Sequence, residues 1–276
     1  MEKPAKIINR LPVTRKALFK DILRNRWRTL LACSFLMLLF LLPLLVATLF
    51  KDYMILNLLN NSEYYSNGVF TETGMLKFKS INLIFLFINS LFILILFIYL
   101  CGVFRIFRQL SWSEGISFWS DFKKGISQNI YLFLRYGFLV VILYFSIWSL
   151  LYFANNLLFA FIALGIATFV FTPMTVLGMY YSVIYNSSLK QRLINIPSLY
   201  LKNAPLILLI AILFEAFFVI EIIPVTYFVI KLIVLLLSCF FVLPLVLLLG
   251  SLVTAYIFDK DINIHHHKDI YRKGLY

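Results

Sequence analysis

Six long apolar stretches alternate with short polar breaks along the chain, at Trp27–Phe50, Ser80–Phe104, Ile130–Phe153, Leu157–Tyr185, Ala204–Ile222 and Thr226–Phe258. Each is near or above the ~20 residues that a helix needs to cross the hydrocarbon core of a bilayer. The pattern predicts an all-α polytopic membrane protein in which residues 1–276 form one domain of six transmembrane helices. Its one long connection on the outer side is expected at Lys51–Lys79.

The stretches leading into the first, third and fifth spans are amphipathic. Leu18, Phe19, Ile22, Leu23 and Trp27 line one helical face, with Arg15, Lys16, Lys20, Arg24 and Arg28 largely on the other. Ile116, Trp119, Phe122 and Ile126 repeat this beside Lys123 and Lys124; the third stretch, Leu189–Tyr200, is weaker and contains Pro197. Basic amphipathic segments with Trp on the apolar side suit the headgroup region, so each is expected to lie in the membrane plane before the chain turns in. Each stretch ends near an Asn (Asn25, Asn129, Asn203), and each following hairpin returns through a Gly with aromatics after it (Gly102, Gly178, Gly250). The Asn-to-Gly intervals of 49 and 47 residues in the later pairs, against 77 in the first, match once the outer loop is discounted. The expectation is three helical hairpins, each preceded by a basic interfacial helix, with a common six-helix pattern of basic inner loops and aromatic belts as the alternative.

Composition is consistent with burial in lipid: 62% of residues are hydrophobic and 13% charged, far from a soluble domain. The net charge of +13 raises nucleic acid as a partner, but its distribution argues against it. Of 25 Lys and Arg, 20 fall at the N-terminal end, on the even-numbered connections and in the C-terminal tail; only Lys51, Lys77 and Lys79 fall on the odd-numbered ones. The positive-inside bias therefore predicts both termini in the cytoplasm, in a bacterial cytoplasmic membrane. The partner this charge predicts is a bilayer with anionic headgroups. The N-terminal tail is too charged for a signal peptide and is expected to be retained. Cys33, Cys101 and Cys239 stand singly in different spans and are read as packing residues.

Glu215, deep in the fifth span, needs a partner or a proton at a depth where a carboxylate costs about 2.5–3.5 kcal/mol. A turn centred on Ile223–Pro224 would set Lys231 at the same depth on the facing helix. The two are expected to pair, either as a proton or ion relay or as a structural pin for hairpin register. Glu221 and Arg135 are near enough to span ends to reach the interface. Pro43, Pro173 and Pro244 interrupt three spans and permit kinks. His265, His266 and His267 are adjacent and read as a solvated tail, so no metal site is assigned. No Gly-x-x-x-x-Gly-Lys, His-Glu-x-x-His or Gly-x-Ser-x-Gly motif occurs, so no catalytic residue or cofactor is expected and the chain is not read as an enzyme.

The segment LSWSEGISFWSDFKKGISQN (Leu110–Asn129) sets Trp112, Glu114, Gly115, Asp121, Phe122, Lys124 and Asn129 in a distinctive pattern. With FDKDIN (Phe258–Asn263) and YRKGL (Tyr271–Leu275), it resembles the YesL-like family of bacterial membrane proteins. The resemblance implies an accessory or regulatory role in carbohydrate uptake beside ABC-type transporters, and transfers no active site. Under it, Trp112, Glu114, Trp119, Asp121, Phe122 and Lys124 form a cytoplasmic docking surface for transporter subunits or for a second copy. The alternative is a small transporter or channel that uses Glu215 and Lys231.

Overall fold

The computed structural model describes residues 12–152, 157–215 and 227–275. Its helices are α1 (Arg15–Asn25), α2 (Trp27–Leu59), α3 (Glu72–Ser111), α4 (Phe118–Tyr152), α5 (Leu157–Ile166), α6 (Thr172–Ile184), α7 (Leu189–Lys202), α8 (Ala204–Glu215), α9 (Phe228–Leu237), α10 (Leu243–Phe258) and α11 (Ile264–His266). Wide π turns join α5 to α6 (Ala167–Phe171), α9 to α10 (Ser238–Val242) and α10 to α11 (Asp259–Asn263). Among the described residues, five continuous helical runs are long and apolar enough to cross a membrane, and α7 with α8, bent by 101°, forms a sixth if the pair is one span. The chain is a multi-pass, all-α membrane protein.

The expected outer loop is mostly helix. α2 runs on to Leu59 and α3 starts at Glu72, so Lys51 and Asp52 belong to α2, and Lys77 and Lys79 to α3. Between them a two-residue ribbon pairs Tyr65 with Phe70 and Ser66 with Val69. Asn67 and Gly68 at its tip have positive φ (53° and 79°), the geometry that Asn-Gly hairpins favour. Thr71 caps α3, accepting from the Gly74 N–H (3.1 Å) while donating to the Glu63 carbonyl (2.9 Å). The helices extend because the charges are absorbed: Lys77 lies over the Tyr64 ring, and Asp52 is paired inside the bundle.

α3, about 60 Å long at 1.5 Å per residue, is the central post of the bundle. Tyr99 donates to the Cys33 carbonyl of α2 (2.9 Å), and the Ser251 hydroxyl of α10 donates to the Phe107 carbonyl (3.0 Å). Phe104 packs on Phe133 of α4 and Tyr180 of α6, with ring centroids 5.3 and 4.4 Å away. A Cβ on Gly125 of α4 would stand 2.8 Å from the Gly102 Cα of α3, and one on Gly102 would strike the Phe122 ring. Small residues that let helix backbones approach are a main source of cohesion in lipid, where the hydrophobic effect between helices is absent.

The stretches expected at the cytoplasmic face differ from one another. α1 is capped by Thr14 and stops at Arg26; α7 is capped by Ser188 and stops at Asn203. Arg26 (φ −120°, ψ 17°) and Asn203 (φ −126°, ψ 27°) share one helix-ending geometry, so the chain turns at equivalent places before α2 and α8. The second stretch, Phe118–Asn129, instead opens the continuous helix α4, inside which the Asn129 amide bonds back to the Gly125 carbonyl (3.1 Å). The expected turn at Ile223–Pro224, Glu221 and the remainder of the fifth span to Ile222 lie outside the described residues.

Pro173 and Pro244 each stand two residues past the last residue of a π turn. A proline clashes with the carbonyl four residues back and cannot donate to it, and widening the preceding turn relieves the clash. The two carbonyls concerned are those of Phe169 and Phe240. Each is taken by a hydroxyl from elsewhere in the bundle: Tyr200 of α7 donates to Phe169, and Ser34 of α2 donates to Phe240 (2.8 Å).

Candidate functional site

Lys231 of α9 donates to the Asp52 carboxylate of α2 at 2.7 Å, and the two side chains are 1% and 2% exposed. Two ions out of water at this degree of burial persist only if each neutralises the other. Their height follows from helix geometry. Asp52 stands 25 residues beyond Trp27, about 37 Å along α2 from its start. The pair therefore lies at the far side of the bundle, near the limit of a ~30 Å hydrocarbon core. The antiparallel course of α2 and α9–α10 that this requires is the one set by the Ser34–Phe240 bond.

This arrangement corrects the expected Glu215–Lys231 pair. Lys231 faces α2 and its ion partner is Asp52, while Glu215, partly buried at the end of α8, has no ion pair among the described residues. Equal depth on one hairpin does not fix the pairing, because the partner comes from a residue 179 positions away in sequence. Asp52 follows Lys51 in the stretch expected to be the outer loop. Its phase is nevertheless legible: Leu41, Leu45, Thr48, Asp52 and Ile55 recur every three or four residues and are all buried.

The pair belongs to a polar strip on the inward faces of α2 and α3. Thr48 and Asp52 are buried on α2, and Asn82, Asn89 and Ser90 on α3; the contact of Phe50 with Phe85 (6.0 Å) sets the antiparallel register that brings these faces together. Ser90 is satisfied by the Leu86 carbonyl (2.7 Å) and the Asn82 amide by Phe78 (2.9 Å). The Asn89 carbonyl oxygen is buried and has no partner among the described residues.

The candidate docking surface is largely an internal joint at the end that carries the termini. Glu114 pairs with Lys273 (2.7 Å) and Arg108 (3.9 Å), and both cations lie over the Trp112 ring at 4.4 and 4.8 Å. Gly274 adopts φ +84°, and a Cβ there would stand 2.5 Å from the Trp112 backbone. Asp121 accepts from the Ser117 N–H (2.8 Å) and is 3.8 Å from Arg105. Asp121 and Phe122 are buried, whereas Trp119 is 62% exposed and Lys124 is exposed. Arg15 of α1 closes the joint, pairing with Asp259 (2.7 Å) and donating to the Ser111 and Lys273 carbonyls. Asp259 also accepts from the Asn263 amide (2.9 Å) and the Arg272 N–H (3.1 Å). Tyr185 donates to Asn263, and burial, reinforced by Tyr181 and Asp259, pushes its hydroxyl up, so that it stays a donor. The three sequence motifs around Trp112, Asp259 and Arg272 thus meet in one assembly.

His265 and His266 are exposed, and the His267 ring stacks on Tyr185 at 5.2 Å. Among the described residues no group of three or more His, Cys, Asp or Glu is placed to hold a metal ion. Cys33, Cys101 and Cys239 are buried and unbridged. The chain matches no family model, no curated protein and no solved structure in comparisons with known proteins.

Proposed function

We propose that the chain is a small membrane transporter or channel whose working charge pair is Asp52–Lys231. The observation that carries this reading is a fully buried ion pair in transmembrane helices beside a strip of buried polar groups, one of them unpartnered. Intramembrane ionisable residues are costly and mark ion or substrate pathways. A second feature supports it. The interruptions at Ala167–Pro173 and Ser238–Pro244 have the same construction in two hairpins, and paired broken helices in repeated halves are where transporters place gating and binding elements. The separate helices α1 and α7, in this reading, lie along the cytoplasmic membrane face and anchor the bundle.

The test is proton flux in liposomes containing only the purified protein, read by a trapped pH-sensitive dye under an imposed potential. Wild type should conduct or exchange protons above empty liposomes, and Asp52→Asn with Lys231→Met should fold and lose the activity. A folded double variant with undiminished flux refutes the role of the pair. The second reading is the accessory one, a partner of a carbohydrate ABC transporter, and the exposed Trp119 beside Lys123 and Lys124 favours it. There, mild detergent extraction should co-purify a transporter subunit, and Trp119→Ala should release it.

A further inference from the structure

The Asp52–Lys231 pair is under-coordinated for ions so deeply buried. Asp52 accepts one hydrogen bond, at Oδ2, and the Lys231 ammonium donates one of its three N–H groups to it. Neither has a second hydrogen-bond partner among the described residues. A buried ion pair is stable only when further hydrogen bonds satisfy its remaining lone pairs and protons. The Asn89 carbonyl oxygen is a further unmet acceptor, on a residue 1% exposed.

Helix geometry brings these oxygens towards one another. Phe50 and Phe85 stand level, with ring centroids 6.0 Å apart. Counting along the antiparallel helices, Asn82 is level with Tyr53, beside Asp52, and Asn89 is level with Val46, about 9 Å further into the bundle. Asn82 and Asn89 are two turns apart on one face of α3, and the buried Thr48 lies between the two levels on α2. Side chains lean towards the N-terminus of their own helix. On these helices Asp52 therefore leans inward and Asn89 outward, and the 9 Å offset narrows to the space of a small ligand.

The chemistry of the strip selects that ligand. Beyond the pair its members are amides and hydroxyls, which accept hydrogen bonds but do not take up a proton as a carboxylate does. Such oxygens can replace the hydration shell of a cation. A single carboxylate beside an ammonium is too little negative charge for a divalent ion, whose protein sites gather several carboxylates and carbonyls. An anion would meet the unpaired oxygens of Asp52 and Asn89.

We infer that the space between Asp52 and Asn89 binds a monovalent alkali cation in exchange for a proton of Lys231. This rests on the transporter reading of the pair and names the ion it handles. The metal ion takes the carboxylate of Asp52 and the carbonyl oxygen of Asn89 as ligands. Lys231, displaced from Asp52, gives one proton to water, keeps the electron pair on nitrogen and becomes neutral. One cation enters as one proton leaves, so the net charge of the site is unchanged.

The test uses liposomes holding the purified full-length protein and a trapped pH-sensitive dye, with no imposed potential. Sodium or potassium chloride added outside should drive protons out and raise the internal pH, and choline chloride should not. Asn89→Leu removes an oxygen that has no hydrogen bond, so it should fold. It should raise the half-saturating metal concentration about tenfold, the loss expected for one ligand oxygen; an unchanged value overturns the site. If that variant does not fold, wild type decides: the metal salts should raise its unfolding midpoint in detergent above that in choline chloride, and equal midpoints overturn the site. Proton movement that responds to neither metal overturns the cation assignment and leaves the transporter reading standing. Silence in every gradient, an imposed potential included, removes the transporter reading and this inference with it.

Discussion

Removing one member of the Asp52–Lys231 pair should cost far more than removing both. At 2.7 Å the gross attraction is about 6 kcal/mol for an effective dielectric constant of about 20. Desolvation takes back several kcal/mol per ion, so replacement of the whole pair by apolar groups should be close to neutral. Asp52→Asn alone leaves a buried ammonium, and Lys231→Met alone leaves a buried carboxylate, at about 3–5 kcal/mol each. Unfolding in mixed micelles, for both single variants and the double, measures this. Additive single costs would refute the pairing as the source of the stability.

Ser34→Ala and Tyr200→Phe each strand a carbonyl freed by a proline and should cost about 1 kcal/mol, whereas Ser146→Ala, whose exposed hydroxyl bonds only its own helix, should be neutral in the same unfolding assay. Gly178→Ala places a Cβ 2.6 Å from the Tyr136 hydroxyl and should destabilise by about 1–3 kcal/mol; Gly165→Ala meets open space and should be neutral or stabilising. For orientation, a cysteine at Ser66 on the β-hairpin should be labelled from outside whole cells, and cysteines at Ser117 and Ser187 should not; labelling at either inner position would invert the topology.

Much of the fold was legible because transfer into lipid acts on residues locally. The runs around Met37, Phe97 and Leu247 needed no partner to be recognised as spans, and the Thr14 and Ser188 caps begin helices where an amphipathic pattern starts. Span ends were harder to read. Lys51 and Asp52 marked the end of the first span to a hydropathy count, yet α2 continues to Leu59 because the cost of the carboxylate is cancelled by a cation on another helix. The Asn-Gly hairpin signal at Asn67 and Gly68 was present in the chain, but hidden inside what read as a loop.

The candidate site divides in the same way. That Lys231 needs a counter-charge follows from its apolar neighbours alone, since a cation there is too costly to stand unpaired. That the counter-charge is Asp52 and not Glu215 was decided only by the packing of α9 against α2, which no local rule encodes. Of the residues expected to form a docking surface, Trp112, Glu114, Asp121 and Phe122 turn their charges and rings inward on Arg105, Arg108, Lys273 and Gly102. Sequence determined which groups required partners, because solvation energy belongs to each residue. Tertiary structure decided which partners they found, because pairing depends on distances between helices far apart along the chain.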